Sequence, residues 1–268
     1  MSIQTTRISR QRTLATADQL STRDREIVAA LGTAKLMTGE QLERLTFSDL
    51  PTSTRSRTRR RVLARLVQLR LVATLGRQIG GVRAGSHGLI YSLDSAGQML
   101  VAIWRETNRE RRTRRPRTPG LPFLAHSLAV SEAFVSLTCM AREGAFALSL
   151  FLTEPDCWWP DGNGGRLRPD AFVLAENDRI ESAWWLEIDQ GTENIARIQA
   201  KLAAYRLFAE RGQAAGPSGL MPQILFAANE AKRVQAIAQT IEEYGHTSRA
   251  RAVLQVDISS TIHAELEA

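Results

Sequence analysis

Three carboxylates and a lysine stand out in the second half of the chain. Asp170 follows Pro169 and opens one apolar run. Glu187 and Asp189 close another, Trp184-Trp185-Leu186-Glu187-Ile188-Asp189. Side chains alternate along a strand, so Trp185, Glu187 and Asp189 share one face, while Trp184, Leu186 and Ile188 share the other and can pack inward. If the two runs pair as strands, Asp170 approaches Glu187 and Asp189. Carboxylates converging at a strand end make a hard-oxygen site suited to Mg²⁺ or Mn²⁺. Such an ion activates water and stabilises charge on a phosphodiester in transition. The bland alternative has Asp170 opening a turn, with Glu187 and Asp189 facing solvent.

Lys201 is one of only three lysines, with Lys35 and Lys232, in a chain whose cations are otherwise arginine. Gly191-Thr192 breaks the preceding strand and caps a helix expected to run to about Arg211. Lys201 and Tyr205 lie at i, i+4 and project from one face. Ala196, Ala200 and Ala203 keep the helix slim. At a rise of about 1.5 Å per residue, the lysine stem can reach back to the strand that ends in Glu187 and Asp189. The competing expectation is a surface lysine on an amphipathic helix.

The elements that must position these groups follow from the apolar pattern. A helix is expected over Leu124–Glu143, strands over Ala145–Thr153, Leu167–Ala175 and Ser182–Asp189, then the helix that carries Lys201. A strand at Gln223–Ala227, a helix at Ala231–Tyr244 and a strand at Arg251–Ile258 complete a mixed α/β order. Trp158 and Trp159, beside a Gly-rich turn, read as lids on the core or as stacking platforms for a base. His126 and Glu132 lie on the first of these helices, within conceivable reach of the carboxylates.

The first half has a different character. Ser21 and Thr22 can cap a helix with Ile27, Val28 and Leu31 on one face. Thr38-Gly39-Glu40-Gln41 reads as a capping box opening a short helix. Pro51-Thr52-Ser53 starts a third, running to about Leu69, with Val62, Leu66 and Leu69 toward the core. Arg57, Arg60, Arg61, Ala64 and Gln68 fall on the opposite face. Arg55 to Arg65 holds six arginines and no acid. Two β-like runs, Leu71–Leu75 and Leu89–Leu93, flank a Gly-rich loop bearing Arg77 and Arg83. Three helices with a cationic third, then a hairpin, is the layout of a winged helix–turn–helix. Arg55, Arg57, Arg60, Arg61, Arg65, Gln68, Arg77 and Arg83 are the candidate contacts to double-stranded DNA.

Charge agrees with this division. The net +7 combines +14 over residues 1–120 with −7 over the remainder. A basic half marks a polyanion binder. The expected organisation is a basic, disordered tail (1–20), a winged helix (21–104), an Arg/Pro-rich linker (105–122) and an α/β domain (123–268). No run of about 20 apolar residues is evident and no secretory h-region opens the chain, so no membrane contact is expected. Cys139 and Cys157 form no Cys-x-x-Cys pair, and a reducing cytoplasm fits.

Pro169-Asp170, Glu187-Ile188-Asp189 and the helix with Lys201 and Tyr205 resemble the PD-(D/E)XK nuclease core, whose element order also matches. The whole chain resembles the replication-relaxation family of plasmids and integrative elements. The phrases Arg168-Pro169-Asp170-Ala171-Phe172 and Leu186-Glu187-Ile188-Asp189-Gln190-Gly191-Thr192-Glu193, with Lys201 and Tyr205 after them, carry the likeness. It implies a DNA-binding protein of plasmid or mobile-element replication, relaxation or mobilisation, alongside other replication or transfer proteins. It also implies a metal-dependent nicking site built from Asp170, Glu187, Asp189, Lys201 and Tyr205. The nuclease motif has lysine where this chain has Asp189, and a migrated Lys201 can supply that cation. The alternative is a non-catalytic accessory or transcription regulator whose second domain is an inactive nuclease-like interaction module. A protein–protein adaptor is a third.

Overall fold

The computed structural model describes residues 9–76, 89–106, 113–191, 193–212, 219–245 and 248–268. The chain divides into two compact units, Met1–Ser131 and Glu132–Ala268.

The first unit contains α1 (Arg10–Ala17), α2 (Thr22–Ala34), β1 (Met37–Thr38), α3 (Gly39–Thr46), α4 (Thr52–Gln68), β2 (Val72–Leu75), β3 (Ile90–Leu93) and α5 (Ser95–Trp104). The expected cap at Ser21 and the expected capping box at Thr38 both form, and the first is also a full capping box. Ser21 Oγ accepts from Asp24 N, and Asp24 Oδ2 accepts from Ser21 N at 3.0 Å. Thr38 and Gln41 do the same for α3. Each satisfies helix-end N–H groups that would otherwise lack partners. β2 and β3 pair antiparallel, Val72 opposite Leu93 and Leu75 opposite Ile90. β1 adds to the free edge of β3, giving the order β1-β3-β2.

Two details differ from the sequence expectation, and α5 is a helix that the sequence reading did not foresee. Residues 10–17 form a helix where a disordered tail was expected, anchored by the buried Thr13 and Ala17. The core-facing stripe of α4 is Leu63 and Leu66, with Leu69 38 % exposed. The helix ends at Gln68 and Arg70 takes φ +58°, so the chain has already turned at Leu69 and the buried Leu71 fills the core instead. Finally, α5 packs so close to the sheet that a Cβ on Gly97 would lie 2.1 Å from the Leu71 carbonyl oxygen.

A 22-residue helix, α6 (Leu121–Arg142), spans the division between the units. An 18-residue stretch of it has a mean hydropathy of 1.4, which makes the helix long and apolar enough to cross a membrane by length and composition. That corrects the expectation of no such stretch; Ser127, Ser131, Glu132 and Ser136 break up the run in the sequence. Of the 18-residue stretch, 33 % is buried within the protein. Leu124 and Leu128 join Leu36, Leu75 and Ile90 in the first unit. Phe134 packs on Phe151 in the second, with ring centroids 5.1 Å apart.

The second unit continues with β4 (Ala147–Thr153), β5 (Trp159–Pro160), β6 (Arg166–Leu167), β7 (Ala171–Glu176), β8 (Glu181–Asp189), α7 (Ile195–Glu210), β9 (Gln223–Ala228), α8 (Ala231–Glu243), β10 (Ala250–Leu254) and α9 (Ile258–Glu267). Its sheet runs β10-β9-β8-β7-β4. β4, β7 and β8 are antiparallel; β8, β9 and β10 are parallel, joined through α7 and α8. On one face Phe172, Trp185, Ile224 and Phe226 meet Ile198, Leu202, Tyr205 and Phe208 of α7 and Ile237 and Ile241 of α8. α9 covers β7 and β8 elsewhere. Because both faces of β8 are covered, every residue from Ser182 to Asp189 is buried, and polar groups there must find partners inside. The expected last strand stops at Leu254, where a single 3₁₀ turn leads into α9.

Candidate functional site

β7 and β8 pair with Ala171 opposite Leu186, and Asp170 N donates to Leu186 O at 3.0 Å. Asp170 therefore sits just beyond the end of the antiparallel ladder, held against the Leu186–Ile188 stretch of β8. Ile188 N donates to Asp170 Oδ2 at 2.6 Å, fixing its carboxylate. Glu187 shares the face of Trp185, against α7, and is only 1 % exposed. Lys201 and Tyr205, one helical turn apart, both reach it. Lys201 Nζ donates to Glu187 Oε2 at 2.8 Å, and Tyr205 OH donates to Oε1 at 2.5 Å. The Tyr205 ring stacks on Trp185 with centroids 5.0 Å apart, which sets the position of its hydroxyl.

Burial pushes the Glu187 carboxyl up to about 7. The nearby Asp170 charge adds to the effect, and Lys201 and Tyr205 only partly offset it. For Lys201 burial works against the charge, yet Glu187 and Asp170 outweigh it and hold the ammonium above its ordinary range. Burial, then Glu187, raise the Tyr205 hydroxyl well above its usual value, so it stays a donor.

Asp189 has a different environment. Its Oδ2 accepts from Arg233 Nη2 of α8 at 2.6 Å and its Oδ1 from Gly191 N at 2.5 Å. The turn that allows the second bond needs Gly191 at φ +77°. Arg233 Nη2 also donates to Glu193 O at 2.6 Å. Glu193 turns its carboxylate to Lys201, with Nζ 3.0 Å from Oε2, and to Arg197, with Nε 3.0 Å from Oε1. The sequence reading assigned Arg233 no role, and Glu193 none beyond its place in the family phrase. The Asp189–Arg233 pair spans 44 residues, and no spacing rule joins residues that far apart.

This arrangement corrects two expectations. Glu187 and Asp189 do not face solvent. Nor do the three carboxylates form an unpaired cluster, because Asp189 is neutralised by Arg233. Both oxygens of Glu187 and both of Asp189 already accept from protein donors. Among the described residues no group of three or more His, Cys, Asp or Glu is placed to hold a metal ion. Mg²⁺ and Mn²⁺ need several free oxygen lone pairs, so the donor set in this arrangement does not fit such an ion. Trp158 is part of the core lid, with the Arg168 guanidinium 4.9 Å above its ring. His126 and Glu132 lie half-buried on α6.

The arginines of α4 divide into two groups. Arg65 spans to the buried Asp24 at 2.5 and 2.6 Å, and Arg59 pairs with Glu43 at 2.7 Å. Arg55 folds back on its own turn, donating to Ser48 O at 3.1 Å and Leu50 O at 2.9 Å. Arg65 and Arg55 were both expected on the DNA face; instead Arg65 ties α4 to α2, and Arg55 ties the start of α4 to the turn before it. Arg57, Arg60 and Arg61 are exposed and pair with no acid among the described residues; Arg60 bonds only to Ser56 O at 3.3 Å. Gln68 is exposed near the end of the helix. Arg77 and Arg83 lie outside the described residues.

The model of the replication-relaxation family matches residues 28–224. The chain belongs to the replication-relaxation family. The match takes in α3, α4, Asp170, Glu187, Lys201 and Tyr205 of this replication-relaxation protein. No curated protein and no solved structure matches it.

Proposed function

We propose that this replication-relaxation protein binds duplex DNA through α4 of a winged helix–turn–helix. Its setting is the replication, relaxation or mobilisation of a plasmid or mobile element in the cytoplasm. The observation that carries the reading is the division among the α4 arginines. Arg55, Arg59 and Arg65 are spent within the unit, while Arg57, Arg60 and Arg61 stand free of acids among the described residues. Side chains that neither pack nor pair are available for phosphate and base edges. The succession α2, α3, α4 and then the β2–β3 pair supports the winged-helix assignment. Anisotropy of a labelled 20-base-pair duplex against the full chain tests it. Binding should fall steeply as KCl rises, because released counterions dominate such affinities. Salt-insensitive binding, or none at low salt, refutes it.

For the second unit the order α6-β4-β7-β8-α7-β9, with Asp170, Glu187 and Lys201, supports a PD-(D/E)XK-like module. Its internally paired carboxylates favour an interaction module over a nuclease. The nicking reading retains one specific support, the 2.8 Å contact of Lys201 with Glu187. Supercoiled plasmid incubated with Mg²⁺ or Mn²⁺ should stay supercoiled; nicked or linear product would establish the nuclease.

A further inference from the structure

Glu193 lies just after the break at Gly191, and two anchors fix its backbone. Its carbonyl accepts from Arg233 at 2.6 Å, and the next residue, Asn194, caps α7 by accepting from Arg197 N at 2.9 Å. Its carboxylate is thereby presented to two cations on one face of α7. Lys201 Nζ lies 3.1 and 3.0 Å from its two oxygens, and Arg197 Nε lies 3.0 Å from Oε1. This is how a Lys/Arg pair grips a phosphate, with a compact ammonium shared between two oxygens and a guanidinium on one of them. The site is open to solvent. The Arg197 side chain is 68 % exposed, that of Lys201 23 % and that of Glu193 22 %, and the small side chains of Ala196, Ala200 and Ala204 on the same helix are exposed. Lys201 faces two carboxylates at once, Glu187 behind and Glu193 in front. Only the one behind is buried.

We propose that Lys201 and Arg197 form a second phosphate cradle for a DNA backbone, and that Glu193 occupies it in the free protein. The inference rests on the proposal that the chain binds DNA, and goes beyond it by placing a contact in the second unit. An incoming phosphodiester displaces the Glu193 carboxylate into water while Lys201 keeps its bond to Glu187. No bond is made or broken; one anion exchanges for another.

The test uses the full chain carrying Arg57→Ala, Arg60→Ala and Arg61→Ala, so that residual binding reports the second unit. Anisotropy of a labelled 20-base-pair duplex is followed across KCl concentrations. Adding Glu193→Gln should tighten residual binding about threefold or more and steepen the log–log salt slope by about 0.9 for each phosphate engaged. Adding Arg197→Gln or Lys201→Gln to Glu193→Gln should remove that gain. Arg197 is the safer of the two because it is exposed and supports no buried group. A gain that survives Arg197→Gln overturns the cradle, as does no gain from Glu193→Gln. Competition by dATP at matched ionic strength as effective as duplex of equal phosphate concentration overturns the assignment to polymer backbone. If instead the triple arginine variant binds duplex as wild type does, the α4 proposal fails, which is a separate result.

Discussion

Lys201→Met removes the cation from a buried pair while keeping most of the stem's packing. Glu187 is then left in the core, 1 % exposed, with Tyr205 as its remaining side-chain donor among the described residues. Breaking a buried ion pair by removing one partner costs about 3–5 kcal/mol. The lower end applies here, because the orphaned carboxyl can take up a proton instead of remaining charged. About 3 kcal/mol corresponds to roughly 10 °C of melting temperature for a unit of this size. The cost should depend on pH. In the wild type the Glu187 carboxyl is raised from 4.5 to about 7, so the folded state holds this proton more tightly than the unfolded state does. That contribution to stability is full below 4.5 and is lost as pH rises through 7. Without Lys201 to lower it, the carboxyl moves higher still, and the window extends upward. Thermal melts at pH 5.5 and 8.5 should therefore show a larger loss at the higher pH. Glu187→Gln added to Lys201→Met should restore most of the lost stability, since no buried charge remains and Tyr205 keeps an acceptor. An equal loss at both pH values, or a double variant melting as low as Lys201→Met, would refute the reasoning.

Three further outcomes are expected. Asp24→Asn should destabilise the first unit by about 1–3 kcal/mol, seen in denaturant melts. Burial alone would raise the Asp24 carboxyl, but Arg65 and Ser21 hold it below 3.8, so wild-type stability present above that value should be lost as pH falls below it, and the variant should lack that loss. Gly97→Ala should cost about 2 kcal/mol or more through the Cβ contact with the Leu71 carbonyl; a melting temperature equal to wild type would show that α5 can shift at no cost. Mg²⁺ or Mn²⁺ at millimolar concentration should leave the melting temperature unchanged, and a rise abolished by Asp170→Asn would place a metal at the site after all.

Much of this was legible in the sequence because it depends on short-range periodicity. The capping boxes at Ser21 and Thr38 are local hydrogen-bond patterns with fixed spacing. The alternation in 184–189 put Glu187 on the face of Trp185, and the i, i+4 spacing put Lys201 and Tyr205 together. What escaped was long-range or lacked an apolar period. Arg233 meets Asp189 only because α8 returns across the sheet. Arg65 meets Asp24 through helix packing, which no count of charges along α4 foretells. β1 is two residues long, and α1 buries Thr13 and Ala17, neither of which signals a hydrophobic face. α9 was hidden behind an alternating run that the turn at Gln255–Asp257 interrupts.

DNA binding through α4 is the central claim, and the salt dependence of duplex affinity tests it most directly. Wild-type protein and the Arg57→Ala/Arg60→Ala/Arg61→Ala variant would be titrated against one labelled duplex from low to moderate KCl, with circular dichroism as the check on folding. The account predicts a natively folded variant with much weaker binding and a log–log slope shallower by about 2–3. A folded variant that keeps both the wild-type affinity and the wild-type slope would contradict it.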